Sequence, residues 1–131
     1  MMQKIICNNL QDLDKFITAN LKLFQDKKIL LLNGDLGAGK TTFVKLLAKQ
    51  LGIKNNITSP SFSYMKDYSG LIHMDLYNYK GDIEEFEDYF DDNIVAIEWA
   101  NLKKHQFDKY VEINAYIDRD LHHVFEITEV K

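Results

Sequence analysis

The sequence predicts an α/β fold with three layers, in which helices flank a mixed parallel and antiparallel sheet. Three observations predict it. Lys28 to Asn33 is a short unbroken apolar run that stops at Gly34, the pattern of a strand buried on both faces. Asn93 to Trp99 repeats that pattern and carries an acid, Glu98, near its end. Tyr110 to Ile117 and Val124 to Val130 alternate apolar with polar residues, as half-buried antiparallel strands do.

The remaining elements follow in chain order. Gln3 to Cys7 reads as a first strand. Asn8 or Asn9 is placed to cap a helix running to about Phe24, because Leu10, Leu13, Phe16, Ile17, Leu21 and Phe24 recur at helical spacing. The buried strand before Gly34 is followed by a helix from Thr41 to Leu51, with Gly52 as its C-terminal stop. Phe62 to Tyr68 and Leu71 to Tyr77 flank Ser69-Gly70 and read as an antiparallel hairpin. Asp82 to Phe90 reads as an acidic helix with Ile83, Phe86 and Phe90 on one side. The parallel part of the sheet should contain the strands ending at Asn33 and Ile97.

A chain of 131 residues suits one domain, expected over 1–131. The net charge of −4 argues against a bare nucleic-acid grip, which ordinarily needs a basic face. It favours a protein partner. A lone Cys7 cannot form an internal disulfide and reads as a small buried apolar residue. No apolar run is long enough to span a membrane, and no leader-like segment is found, so a cytoplasmic setting is expected.

The sharpest chemical signal is Gly34-Asp-Leu-Gly-Ala-Gly-Lys-Thr41, a G-x-x-x-x-G-K-T phosphate loop set between a buried strand and a helix. The glycines let the backbone approach an anion closely. The N–H groups of Asp35, Leu36, Gly37, Ala38 and Gly39 then point at phosphate, helped by the positive end of the helix. Lys40 reaches the terminal phosphates as a point charge, and the Thr41 hydroxyl is a magnesium ligand. The nucleotide is expected to be ATP, because no N-K-x-D guanine-reading motif occurs.

Phosphate chemistry also needs an acid at the end of a neighbouring buried strand. Glu98 is the candidate for the metal side, together with Thr41. Asp75 is the candidate for orienting water. The catalytic set is thus Lys40, Asp75 and Glu98. Trp99, the only tryptophan, reads as a rim aromatic or as core. His73 reads as structural, and His122-His123 lack the spacing of a zinc site. Thr58 to Ser63 offers four hydroxyls that could sense a terminal phosphate. Seven of the eleven residues from Asp82 to Asp92 are acidic, which reads as a solvated face or a docking patch for a basic partner.

Four motifs in this order, Gly34 to Thr42, Thr58-Ser-Pro-Ser-Phe62, His73-Met-Asp-Leu-Tyr77 and Ile97-Glu-Trp99, together resemble the bacterial TsaE (YjeE) family over nearly the whole chain. The resemblance implies an ATPase required for threonylcarbamoyl modification of the adenosine beside the tRNA anticodon. It would act with TsaD and TsaB, reaching tRNA indirectly through that complex. The implied cofactors are ATP and Mg2+. The resemblance adds Thr42 and Ser61 as hydroxyls near phosphate, Trp99 as an aromatic near the nucleotide, and Arg119, the only arginine, as a late arginine close to it. It also assigns Lys40, Thr41, Asp75 and Glu98 their roles. Three positions depart from the family pattern: Asn78 where Arg is usual, Asn101 where a second acid is frequent, and Leu13 where a Thr is frequent. A small-molecule kinase is disfavoured, since such enzymes need several arginines. A nucleotide-sensing module that does not hydrolyse is the remaining alternative.

Overall fold

The computed structural model describes residues 2–35, 37–58, 60, 64–77, 79–100 and 107–130. Seven strands form one mixed sheet: β1 (Met2–Cys7), β2 (Ile29–Asn33), β3 (Met65–Asp67), β4 (Leu71–Asp75), β5 (Ile94–Glu98), β6 (Tyr110–Ile117) and β7 (His123–Val130). Their spatial order is β1-β7-β6-β2-β5-β4-β3. The central strands β6, β2, β5 and β4 run parallel, and the outer pairs β1/β7, β7/β6 and β4/β3 are antiparallel. Sequence had placed β2 and β5 in the parallel part, and they are adjacent. It had not shown that β6 and β4 extend the parallel block on either side.

Two α-helices cover one face, α1 (Leu10–Lys27) and α2 (Lys40–Gln50). The Asn9 side chain accepts the Asp12 N–H at 3.0 Å, and the Asp12 carboxylate accepts the Asn8 N–H at 2.9 Å. This reciprocal cap fixes where α1 begins. The helix runs three residues past Phe24, because apolar spacing marks only the buried turns. Its last turn is polar and is tied down by Lys27, paired with Glu129 at 3.1 Å. The buried stripe of α2 is Lys40, Phe43, Val44, Leu47 and Ala48. That spacing follows the helical repeat, so the lysine shares the apolar face and is carried toward the sheet.

Strand alternation sorts the interior into two clusters. Leu30, Leu32, Leu71, Ile94 and Ala96 face α1 and α2 with Phe24, Phe43 and Phe125. Leu31, Ile72, Met74, Val95 and Ile97 face the opposite side, where Ile83, Phe86, Phe90 and Phe107 pack. The acidic segment on that side is a 3₁₀ helix (Ile83–Tyr89), not the longer α-helix the spacing predicted. Glu84, Glu87 and Asp88 are like charges three and four residues apart, which disfavours continued α-helix. The strand expected over 62–68 is only Met65–Asp67, and Phe62 lies outside the described residues.

The period of two has a direct consequence for chemistry. In β4, Leu71 faces the helices, so His73 and Asp75 do too. In β5, Ile94 and Ala96 face the helices, so Glu98 does too. Asp75 and Glu98 are register partners, and Glu98 also pairs with Leu32 of β2. Both acids therefore stand at the carboxyl ends of parallel strands, beneath the start of α2, where open α/β sheets bind ligands.

The connection from β2 to α2 runs tightly over β6. Gly34 has φ +147°, and a Cβ there would lie 2.3 Å from the Ala115 carbonyl oxygen. Gly34→Ala should therefore lower stability by about 2–4 kcal/mol, combining backbone strain with a clash against main chain. Denaturant unfolding of the variant measures this directly.

Candidate functional site

The loop of residues 34–41 is built around Lys40. The side chain folds back so that Nζ donates to the Gly34 carbonyl and, at 3.0 Å, to the Asp35 carbonyl. It also lies 4.1 Å from the centroid of the Trp99 ring, within cation–π range. The residue is only 5% exposed. Burial pushes its pKa below the ordinary lysine value, while Glu98, Asp75 and Asp35 pull in the opposite direction.

The loop is held in shape from behind. A Cβ on Gly39 would lie 3.0 Å from Phe125 Cζ, and Gly39 has φ +111°. Phe125 stacks on Phe43 with ring centroids 5.8 Å apart, and Phe43 meets Phe24 edge-on at 5.7 Å. His123 bonds the Ala38 carbonyl through Nδ1 at 3.1 Å. That nitrogen must carry the proton in this contact, because a carbonyl only accepts.

Opposite the loop stands a chain of polar groups. The Thr41 hydroxyl contacts both oxygens of Glu98 at 3.0 Å. Glu98 Oε2 also bonds His73 Nε2. Glu98 is 3% exposed and His73 is fully buried. Asp75, 6% exposed, accepts the Tyr77 N–H at 2.9 Å. Trp99 follows β5 with φ +60°, and its N–H donates to the Leu32 carbonyl at 3.0 Å. Its ring rests on Tyr77 with centroids 5.0 Å apart.

These groups line a cavity of about 320 Å³ bounded by Gly37, Lys40, Thr41, Asp75, Glu98 and Trp99. Thr41, Glu98 and Asp75 give it hard oxygen donors, the set that suits magnesium. Among the described residues, Lys40 is the only lysine or arginine that lines it. A second cavity of about 270 Å³ adjoins it, lined by Cys7, Asn8, Leu10, Leu13, Leu121 and Phe125. Gly39, Thr42 and His123 border both. The pair of cavities offers an anion cradle beside a mostly apolar slot.

The structure thus brings together Lys40, Thr41, Thr42, Asp75, Glu98 and Trp99, with Gly37, Ala38 and Gly39 forming the loop. Arg119 is exposed in the β6–β7 turn and is not among the residues lining either cavity. That turn is organised by Asp118, whose Oδ1 accepts the N–H groups of Asp120 and His122 at 2.9 Å each. The His122 amide holds the Asp118 carboxyl below its usual pKa. The order this confers persists above the ordinary aspartate range and is lost only as pH falls through the lowered value. Leu36, Ser61, Asn78 and Asn101 lie outside the described residues, as do Ser59, Phe62 and Ser63 of the hydroxyl-rich loop.

Sequence reading missed two groups. His73, read as structural, is bonded to Glu98. The signal available was its spacing of two from Asp75 on a buried strand. His123 carried no local signal, because it reaches the loop only through the pairing of β7 with β1 and β6.

Comparison with known proteins places the chain. The model of the family described as threonylcarbamoyl adenosine biosynthesis protein TsaE matches residues 7–124. The chain is 34% identical to the tRNA threonylcarbamoyladenosine biosynthesis protein TsaE of Aquifex aeolicus over 79% of its own length and 81% of that protein's. It is 33% identical to the Treponema pallidum protein of the same name, covering 82% and 85% of the two chains. With the Bacillus subtilis protein of that name it shares 41% identity over 60% of this chain and 54% of that one. Among solved structures, the crystal structure of Bacillus subtilis YdiB superposes with a TM-score of 0.75 at 29% identity, covering 100% of this chain and 87% of the other.

Because Trp99 is the only tryptophan, its emission reports on the Lys40 ammonium above it. Adding ADP to wild-type protein should change that emission as Lys40 leaves the ring. In Lys40→Ala the change should largely disappear, which a fluorescence titration of both proteins checks.

Proposed function

The chain belongs to the TsaE family of tRNA threonylcarbamoyladenosine biosynthesis proteins, and from that premise we propose that it binds and hydrolyses ATP·Mg as a nucleotide-driven switch on a TsaD/TsaB-type complex. The single observation that carries the reading is the convergence of Lys40, Thr41, Asp75 and Glu98 on one cavity at the carboxyl ends of parallel strands.

In this reading the triphosphate lies along the loop of residues 35–41. Lys40 exchanges two backbone carbonyls and the Trp99 ring for phosphate oxygens, so its charge is never left without a partner. The base enters the adjoining slot between Asn8, Leu13 and the β6–β7 turn. His123, fixed by its bond to Ala38, stands between the slot and the phosphates. Thr41 and Glu98 are the groups that would hold magnesium, which supplies neutralisation of charge on the terminal phosphates. Asp75, oriented by the Tyr77 amide, holds the attacking water. The roles of Thr42 and Trp99 are to border the phosphates.

That a single lysine lines the phosphate cavity among the described residues has a kinetic consequence. Phosphoryl transfer depends on positioning and on positive charge around the terminal phosphate. A site with one lysine turns over slowly, and a partner that contributes a cation raises the rate by about 10³–10⁵. Hydrolysis in turn alters what the site presents to the partner complex, and tRNA is reached through that complex.

Calorimetry and turnover measurements test this together. Lys40→Ala should abolish detectable ATP uptake. Glu98→Gln should retain binding and lose about 10²–10³ in turnover, as loss of an electrostatic group at the reacting centre does. Its stability should fall, since Glu98 is one of the charges that compensate the buried Lys40 ammonium. Undiminished ATP binding by Lys40→Ala, or unchanged turnover and function in Glu98→Gln, overturns the reading. His123→Ala should weaken ADP by a few-fold only, because it removes a prop behind the loop and not a phosphate contact.

A further inference from the structure

The reading of the cavity as an ATP·Mg site leaves the buried His73 without a role, and the inference drawn from it rests on that reading. We propose that His73 is the positioning residue of the metal side. Its Nε2–H holds one oxygen of Glu98 and so fixes the direction in which the carboxylate faces Thr41 and a cation bound beside it.

The geometry carries the argument. His73 sits in the middle of β4 with no exposure, on the helix-facing side, opposite Ala96 of β5. Glu98 is the next residue of β5 on that side, so the two side chains meet diagonally across the strand pair. The Thr41 hydroxyl cannot select between the Glu98 oxygens, because it lies 3.0 Å from each. The His73 bond to Oε2 alone breaks this symmetry. Without it the carboxylate is free to turn about its last torsion, a broad one for glutamate.

The second observation concerns the other ring nitrogen. Nδ1 of His73 is buried and has no hydrogen-bond partner among the described residues. Buried polar atoms are ordinarily paired, so a histidine kept only to fill the core would be expected to satisfy both nitrogens or to be replaced by an apolar residue. Here one nitrogen is bonded to Glu98 and the other is left over. The pairing also sets the tautomer. An ionised carboxylate only accepts, so the proton sits on Nε2, and Nδ1 is the bare acceptor. Histidines that orient metal-binding groups from behind act in this way, and losing such a partner typically costs about 10–100-fold in metal affinity or activity.

The experiment uses Mn2+ as the probe, in the presence of ADP, with binding followed by electron paramagnetic resonance on wild type, His73→Leu and His73→Gln. Leucine keeps apolar bulk and removes the donor. Glutamine returns a neutral N–H donor at about the reach of Nε2. His73→Leu should weaken Mn2+ by about 10–100-fold while ADP binding without metal is unchanged, and His73→Gln should recover most of the loss. A folded His73→Leu with wild-type Mn2+ affinity overturns the proposal, as does a His73→Gln no better than His73→Leu. A test that needs no variant is ¹⁵N NMR of the wild type. The signal assigned to His73 should show the proton on Nε2, and the opposite tautomer also overturns the proposal. Failure of the parent reading looks different: wild type with ADP then takes up no Mn2+, and the positioning role falls with it.

Discussion

Lys40 is a cation held almost wholly out of water, and the arrangement of the site follows from keeping it there. An unpaired ammonium in such a place would cost several kcal/mol. The chain meets that cost with two carbonyls of its own loop, the face of Trp99, and the fields of Asp75 and Glu98. Each of these depends on a different part of the fold. The carbonyls need the turn that Gly34 permits. The ring needs the positive φ at Trp99. The acids need the parallel register of β4 and β5. The lysine itself needs the helical spacing that puts it on the buried stripe of α2. A cation so provided for is neither exposed nor locked in an ion pair, and it can exchange neutral partners for phosphate at little net loss.

Much of this was legible in the residues. The loop, the strand before it and the helix after it stand in one contiguous stretch, so local pattern sufficed. Glu98 was legible because it directly ends an unbroken apolar run of four, Ile94 to Ile97. The partner of Glu98 was harder. His73 lies 25 residues away in sequence and becomes its neighbour only through the β4–β5 register. The slot beside the loop was harder still, since Cys7, Leu13, Leu121 and Phe125 come from both ends of the chain. β1 must pair with β7 before that cavity exists, and no local periodicity encodes such a pairing. The acidic segment erred in the opposite sense. Its apolar spacing was helical, but repulsion among its carboxylates left a 3₁₀ helix.

The departures from the family pattern fall in instructive places. Leu13 lines the slot beside the loop, so an apolar residue there enlarges its apolar wall. Arg119, which keeps the family pattern, is exposed in the β6–β7 turn and lines neither cavity, so Lys40 is the one lysine or arginine among the described residues lining the phosphate cavity. With a net charge of −4 and acids massed on residues 82–92, the surface repels polyanions and attracts basic proteins. The proposed function draws the further positive charge from a partner protein, and an acidic surface is compatible with that.

The division of labour between the two acids can be argued from their neighbours. Glu98 stands on β5, between β2 and β4, and the described contacts of its carboxylate are to Thr41 and His73. Both of its oxygens face the Thr41 hydroxyl and one also faces His73, and in the proposed reading this is the acid turned toward the cation. Asp75 stands one strand further out, about 4.8 Å across the ladder. Its orientation comes from the main chain of Tyr77, in the turn that leaves β4. A second negative group so close to Glu98 gains nothing from sharing the same cation contact. In the proposed function it is therefore the acid assigned to accept a hydrogen bond from water and aim it. The same strand register that brings the acids together thus also gives them different neighbours, and the proposed function builds its two roles on that difference.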